Sequence, residues 1–560
     1  MKELLKKYSW LEWVSVILST FVLLFFISLR ECWFGLGHTV GFLGLAYVFI
    51  GVMIVTLILE IVFMILKKKG FYNWIFFSLS IFWIIIILVI FMLGGMDYVE
   101  YTIKQFLLTL PWVLLVLLFL YLIFLYPTSR IKDMKYVRIG AFSVLTLLIL
   151  YLVLPFRINS FTHKPVVYVV EDNYQIVFET RTNSKVYVKV GDEYFYDTLA
   201  GTDITKTRIH KVVVPQEKLD SAGLYEAYAK AIFFRGAYGT LEGRWINVKS
   251  NFYPVDPSDG IKYYSLSDVH GSLNEGVKAA SYFGNDLDFL ILNGDITSLL
   301  LERRDANAAN IIAYKVTKGE KPVIYARGNH ECKSTYVTDY YRYVGAKDTS
   351  FYYWFKLGPI YGIVLDLGED HIDDWWEFKG TAHFEEYRKE QLEFVKNIDP
   401  SLIDSDYRMI ISHIPLVHIN QRNDFREFKT EITPILNTFN FDVAIYGHQH
   451  QFMPFIPKEL EAFKKFSVEV GSSKYVFKGE LTDFNFLGMM VGKRSDSQEK
   501  LAQEFLRTEC GGMGAIIDFN NKTETFFWTN SKGKQINIVD PFKEGDLGKV
   551  EYVFSLKNVA

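Results

Sequence analysis

The stretch Ser267-Asp268-Val269-His270 decides the fold, because it closes the apolar run Lys262 to Leu266 and opens a series of five short polar motifs. The other four are Gly294-Asp295, Gly328-Asn329-His330-Glu331, Ser412-His413 and Gly447-His448-Gln449-His450, and each also follows an apolar run. Those runs, Phe289 to Leu292, Val323 to Ala326, Arg408 to Ile411 and Val443 to Tyr446, read as strands, as do Phe351 to Leu357 and Ile360 to Leu365. Helices are predicted near Ser298 to Thr317, Glu385 to Asn397 and Glu431 to Phe439, which makes an α/β pattern. In such sheets ligands sit beyond the carboxyl ends of strands, and all five motifs fall there.

Taken in that order, from Tyr263 to about Val470, the motifs resemble the calcineurin-like metallophosphoesterase superfamily. The resemblance implies a β-sandwich flanked by helices and an enzyme that hydrolyses phosphate mono- or diesters. Two divalent ions a few ångströms apart would acidify a bridging water, and the hydroxide would attack phosphorus in line. Carried over by motif, Asp268, His270 and His450 would hold the first metal, Asn329, His413 and His448 the second, and Asp295 would bridge them. His330 would contact the scissile phosphate and stabilise or protonate the leaving group. Nitrogen and oxygen ligands suit Mn, Fe or Zn, with Mn slightly ahead. Five of the eleven histidines lie in these motifs, more than a set of structural histidines would place there. Compared with purple acid phosphatases, His270 stands where that family has glycine. Ser298 stands where it has a tyrosine three residues after the bridging aspartate, so a purple ferric centre is not expected.

Working outward, a chain of 560 residues is too long for one core. Three domains are expected: a membrane domain over 1–157, a fibronectin-III-like β-sandwich over 158–250 and the catalytic domain over 251–560. The mean hydropathy is positive, +0.13, and the excess lies almost wholly before Phe156. Five apolar segments, Trp10 to Leu29, Thr39 to Leu66, Trp74 to Leu93, Phe106 to Tyr126 and Ile139 to Leu154, are near or above the length that crosses a bilayer. Lys2, Lys6 and Lys7, then Lys67 to Lys69, then Arg130, Lys132, Lys135 and Arg138 mark the cytoplasmic side. A multi-pass cell-membrane protein follows, with a cytoplasmic amino terminus and an extracytoplasmic catalytic domain. Glu60 lies within reach of the Lys67 cluster and reads as structural. The net charge of −3 argues against general nucleic-acid binding, and Cys32, Cys332 and Cys510 match no zinc or disulfide spacing. Nothing in the chain fixes an oligomeric state.

From Pro165 to Val248 about seven short strands with turn signals suggest a small antiparallel sandwich. The runs Thr207 to Val214 and Leu224 to Tyr228 resemble the domain that precedes the catalytic one in purple acid phosphatases and their bacterial relatives. The loop Gly368 to Trp376 reads equally as a lid or as a solvated loop with packed tryptophans. His371, His383 and His418 read as surface residues, and Arg327 and Arg422 are candidate phosphate contacts. Residues 476–510 read as an insertion. The competing function is a non-catalytic metal-binding sensor or scaffold of the envelope. It would be favoured by a missing ligand, and none is missing.

Overall fold

A computed structural model describes residues 159–235, 240–378, 380–399, 402–419, 425–450, 452–457, 466–470, 475–492, 510–530, 532–536 and 551–558, and before them only 20, 54, 55, 57 and 58. The chain divides into Met1–Leu154 and Pro155–Ala560. In the first unit the few described residues are helical. Apart from those five residues, which fall in the first two, the five apolar segments lie outside the described residues, as do Glu60, Cys32 and Arg422. The expected fold class is corrected here: among the described residues no helix is long and apolar enough to cross a membrane, and the described fold is mainly sheet.

The second unit opens with β1 (Phe161–Val170), β2 (Asn173–Thr180), β3 (Ser184–Val190), β4 (Glu193–Tyr196), β5 (Thr198–Leu199), β6 (Thr202–Asp203) and β7 (Ile209–Pro215). Helix α1 (Gln216–Ala222), β8 (Leu224–Arg235) and β9 (Thr240–Asn251) follow. Strands β4-β3-β8-β9 form one antiparallel sheet, but β1, β2 and β7 do not form a free-standing second sheet. They extend the catalytic sheet, with Val167 and Tyr168 of β1 paired in parallel with Pro322 and Val323. This corrects the expected separate sandwich, because one of its two layers is the edge of the next domain's sheet. The physical reason lies in Val166-Val167-Tyr168-Val169-Val170, an unbroken apolar run buried on both faces. Such runs belong to strands covered on both sides, whereas β3 alternates buried and half-buried residues as a strand with one open face does.

The α/β part runs β10 (Ile261–Leu266), α2 (Leu273–Ala280), β11 (Phe289–Asn293), α3 (Arg303–Ala306), α4 (Ala308–Thr317), β12 (Pro322–Ala326), β13 (Tyr353–Leu357) and β14 (Ile360–Leu365). It continues with α5 (Phe384–Lys396), β15 (Tyr407–Ser412), β16 (His418–Ile419), α6 (Arg426–Thr438), β17 (Val443–Tyr446), β18 (Met453–Phe455), β19 (Phe466–Val470), β20 (Tyr475–Leu481) and β21 (Leu487–Met490). The last strands are β22 (Gly512–Asp518), β23 (Thr523–Thr529), β24 (Gln535–Ile536) and β25 (Glu551–Ser555). One sheet has the order β24-β23-β22-β10-β11-β12-β1-β2-β7, and the facing sheet has β13-β14-β15-β17-β21-β18.

Alternation along each strand builds three cores. Tyr263, Phe289 and Ile291 face Tyr407, Met409 and Ile445 between the sheets. Tyr264, Leu266, Leu290 and Leu292 turn the other way, onto Ala279 and Ala280 of α2 and Ile312 and Ala313 of α4. On the far side Ile363, Leu365 and Ile410 meet Leu392 and Val395 of α5 and Ile432 and Leu436 of α6. The α/β sandwich flanked by helices therefore stands. The segment 476–510 is more than an insertion, since β21 pairs in parallel with β17, Val443 opposite Leu487. Gly488 weakens its signal as a strand in the sequence.

Candidate metal centre

Five loops leave the carboxyl ends of β10, β11, β12, β15 and β17 and converge. Asp268, His270, Asp295, His448 and His450 have φ of 55°, 47°, 51°, 72° and 53°, in the left-handed region. Non-glycine residues enter that region at a cost of about 1 kcal/mol or more each, so the turns are held by what surrounds them. Hydrogen bonds tie them: His270 N–H donates to the Asp295 carbonyl at 2.9 Å, and Gly447 N–H to the His413 carbonyl at 2.8 Å. Glycine is required where loops touch. A Cβ on Gly294, itself at φ +75°, would lie 2.6 Å from His413 Nδ1, and one on Gly447 would collide with Ser267 Oγ.

The structure brings all eight sequence-predicted residues together. Asp268 Oδ1 lies 3.2 Å from His450 Nε2, and that nitrogen lies 3.0 Å from His270 Nε2. Asp295 Oδ2 lies 3.1 Å from His413 Nε2 and 3.9 Å from both His270 Nε2 and His330 Nε2. Asn329 Oδ1 is 3.1 Å from His448 Nδ1. Two adjoining sets result, Asp268 with His270 and His450, and Asp295 with His413 and His448, the donor atoms within each set lying within 4.8 Å of one another. His270, Asp295 and His330 make a third such set.

These residues fit divalent cations. His270 Nε2 and His450 Nε2 face each other at 3.0 Å beside Asp268 and Asp295, and His413 Nε2 is buried 3.1 Å from Asp295 Oδ2, so nitrogen and carboxylate atoms converge where an unpaired buried group would cost about 1–3 kcal/mol unless something else binds there. Burial opposes the charge on Asp268, but His450 and His413 outweigh it and hold the carboxyl down at about 2. Burial is likewise outweighed at Asp295 by His413 and His330, which keep it well below its ordinary value. His413 is pushed up to about 10, Asp295 and Asp268 prevailing over burial. Burial and the neighbouring His330 and His450 push His270 down, and burial also lowers His330. Two ionised carboxylates among imidazoles are a donor set of oxygen and nitrogen, the kind that Mn, Fe and Zn take.

Several residues escaped the sequence reading. Glu331, fully buried, accepts the backbone N–H groups of Asp295 at 2.8 Å, Ile296 at 2.7 Å, Thr297 at 3.1 Å and Gly328 at 3.0 Å. It joins two of the site loops, and burial and Asp295 push its carboxyl up to about 7. Ser267 Oγ lies 2.7 Å from Asp268 Oδ2 and 2.8 Å from the Asn293 carbonyl. Ser298 offers its carbonyl to His330 Nδ1 at 2.8 Å. The Gly368 to Trp376 loop sends Glu369 and Asp370 into the site, against Asn329 and His448. The signal in the sequence was two adjacent acids in a loop after a strand, which is too common to single out.

Other expectations change. Arg327 is buried with its Nη2 2.7 Å from Asp366 Oδ2 and its guanidinium over the Phe351 ring, so it braces the β12 loop and is not a phosphate contact. His418 is buried in β16 and not on the surface, stacked near Phe455. His371 pairs with Asp370 Oδ1 at 3.0 Å and Glu369 Oε1 at 3.1 Å, and those bonds push it up to about 10. His383 is exposed just before α5.

Residues 261–452 match the family model of the calcineurin-like phosphoesterases. Those residues carry a domain of the metallophosphoesterase superfamily. The chain is a metal-dependent hydrolase of phosphoric esters. Among solved structures it is similar to the purple acid phosphatase PPD1 of yellow lupin (Lupinus luteus), at 14% identity over 70% of this chain and 74% of that one, TM-score 0.42. It is also similar to PhoD, at 8% identity over 71% and 92%, TM-score 0.35. A third is GAP50, the anchor in the inner membrane complex of Plasmodium, at 14% identity over 54% and 90%, TM-score 0.31. At these TM-scores none of the three carries an argument here. No curated protein matches the chain.

Proposed function

We propose that Asp268, His270 and His450 hold one divalent ion, that Asn329, His413 and His448 hold a second, and that Asp295 serves both. The observation that carries this reading is the pair of adjoining donor sets, Asp268/His270/His450 and Asp295/His413/His448. Two ions held there would supply a nucleophile from water at neutral pH and neutralise the phosphate oxygens. The residues do the rest. Asp295 lies between the two sets, and its Oδ1 accepts the backbone N–H of His330 at 3.0 Å, which fixes the carboxylate relative to the β12 loop. His330 donates Nδ1–H to the Ser298 carbonyl, so Nε2 is the atom that gains or gives a proton. Facing the site from that position, it protonates the departing alcohol.

The test is hydrolysis of a chromogenic phosphomonoester and a phosphodiester by the full-length protein, with and without Mn²⁺, beside Asp295→Asn. Metal-dependent cleavage of one ester class is expected, falling at least about a hundredfold in the variant. An unchanged rate in Asp295→Asn refutes the shared-ligand assignment, and which ester is cleaved divides monoesterase from diesterase.

A further inference from the structure

We propose that Asp370 is a positioning residue for the second metal site, fixing His448 in the tautomer whose Nδ1 faces Asn329 Oδ1. The inference rests on the two-ion reading above. Asp370 Oδ2 lies 3.1 Å from His448 Nε2, and on the opposite edge of the ring Nδ1 lies 3.1 Å from Asn329 Oδ1. A neutral imidazole has one N–H, and an ionised carboxylate can only accept. With the proton on Nε2, Nδ1 carries the lone pair, which is the form that binds a cation. The other tautomer would set a lone pair against the Asp370 carboxylate.

Asn329 is oriented by the same loop. Its Nδ2 donates to Glu369, 3.3 Å from Oε1 and 3.4 Å from Oε2, which turns Oδ1 toward His448. Two acceptors, Nδ1 and Oδ1, then face each other at 3.1 Å. A cation between or beside them relieves that opposition. The carboxylates are themselves braced: Lys333 Nζ lies 2.7 Å from Glu369 Oε2 and 2.7 Å from Glu377 Oε2, and His371 Nδ1 bridges Glu369 and Asp370. The loop after β14 supplies none of the seven ligands proposed above, although Glu369, Asp370 and His371 also stand close enough together to hold a cation, and its adjacent acids set the donor atoms of two ligands from two other loops, after β12 and β17.

The test is calorimetric titration of the metal-stripped, full-length protein with Mn²⁺. Wild type is expected to take up two ions. Asp370→Ala is expected to bind one as wild type does and the other about 10–100-fold more weakly, with Asp370→Glu recovering part of the loss. If the alanine variant does not fold, Asp370→Asn, of the same shape, is expected to weaken the second site alone. Unchanged affinity at both sites, or equal weakening of both, overturns the inference and leaves the two-ion reading standing. A wild-type protein that takes up no Mn²⁺ overturns both.

Discussion

Glu524 offers a test of how the two sheets are held. It lies in β23, 1% exposed, and its Oε1 accepts the hydroxyl of Tyr263 from β10 at 2.8 Å and that of Tyr407 from β15. Burial pushes its carboxyl up from 4.5 to about 8, the two tyrosine bonds opposing and Asp442 adding to it. A carboxyl raised in the folded state contributes stability that is complete below the unfolded value and is lost as pH climbs through the folded one. The window therefore runs from about pH 4.5 to about pH 8. At about 1.4 kcal/mol per pH unit the whole swing is about 5 kcal/mol, of which about 3 is lost by pH 7. Glu524→Gln keeps an acceptor for both hydroxyls and cannot ionise. Its extra N–H donors cost about 1–2 kcal/mol at every pH. The variant should therefore be slightly less stable than wild type at pH 5 and more stable at pH 9. Guanidinium unfolding midpoints of both proteins from pH 5 to pH 9, followed through tryptophan fluorescence, measure the difference. A difference that stays flat over that range refutes the claim that a neutral carboxyl joins the sheets.

Two further predictions complete the set. Lys429 of α6 is buried, with Nζ donating to the His418 carbonyl at 2.8 Å, and burial, with Arg388 adding, pushes it down to about 7. A base depressed in the folded state penalises folding fully below that pH, and the penalty fades as pH rises toward 10.5. Lys429→Met should therefore gain on wild type by on the order of 3 kcal/mol more at pH 6 than at pH 10, read from denaturant midpoints. A gain independent of pH would show that Lys429 titrates as it does in water. His330→Ala should keep both Mn²⁺ ions in a binding titration while cleavage of an alkyl phosphoester falls by about a hundredfold or more, and a nitrophenyl ester, whose leaving group needs no proton, falls less. Loss of one ion in that variant would instead make His330 a ligand.

The sequence made most of this site legible because its residues stand at strand ends, and apolar runs mark strand ends plainly. Asp268, Asp295, Asn329, His413 and His448 each come within three residues of a run whose burial is complete or nearly so. Glu369 and Asp370 were not legible in the same way. They follow β14 by four and five residues, in a loop whose polar composition is equally that of a solvated surface, and only the fold turns them inward. The place of β1 is obscured for a different reason. Turn signals and period two dominate the stretch after Pro165, but Val166 to Val170 does not alternate, and an unbroken run calls for cover on both faces.

The division of the proposed ligands between the sheets bears on how the two layers must be held. Asp268, Asp295 and Asn329 leave strands of one sheet, whereas His413, His448 and His450 leave strands of the other. Each proposed ion therefore spans the gap between the layers, and a shift of one layer against the other would pull both donor sets apart. At about 3.3 Å per residue, Tyr263 lies roughly 16 Å back along β10 from Asp268, and Tyr407 lies roughly 20 Å back along β15 from His413. The Glu524 contact thus holds the layers together at the end away from the site. At the site end the cross-layer contacts are pairs such as Asp295 with His413 and Asp268 with His450, polar groups that gain most when a cation sits among them. Metal bound at the proposed sites would therefore stabilise the packing of the two layers, since whatever binds only the folded arrangement also stabilises it.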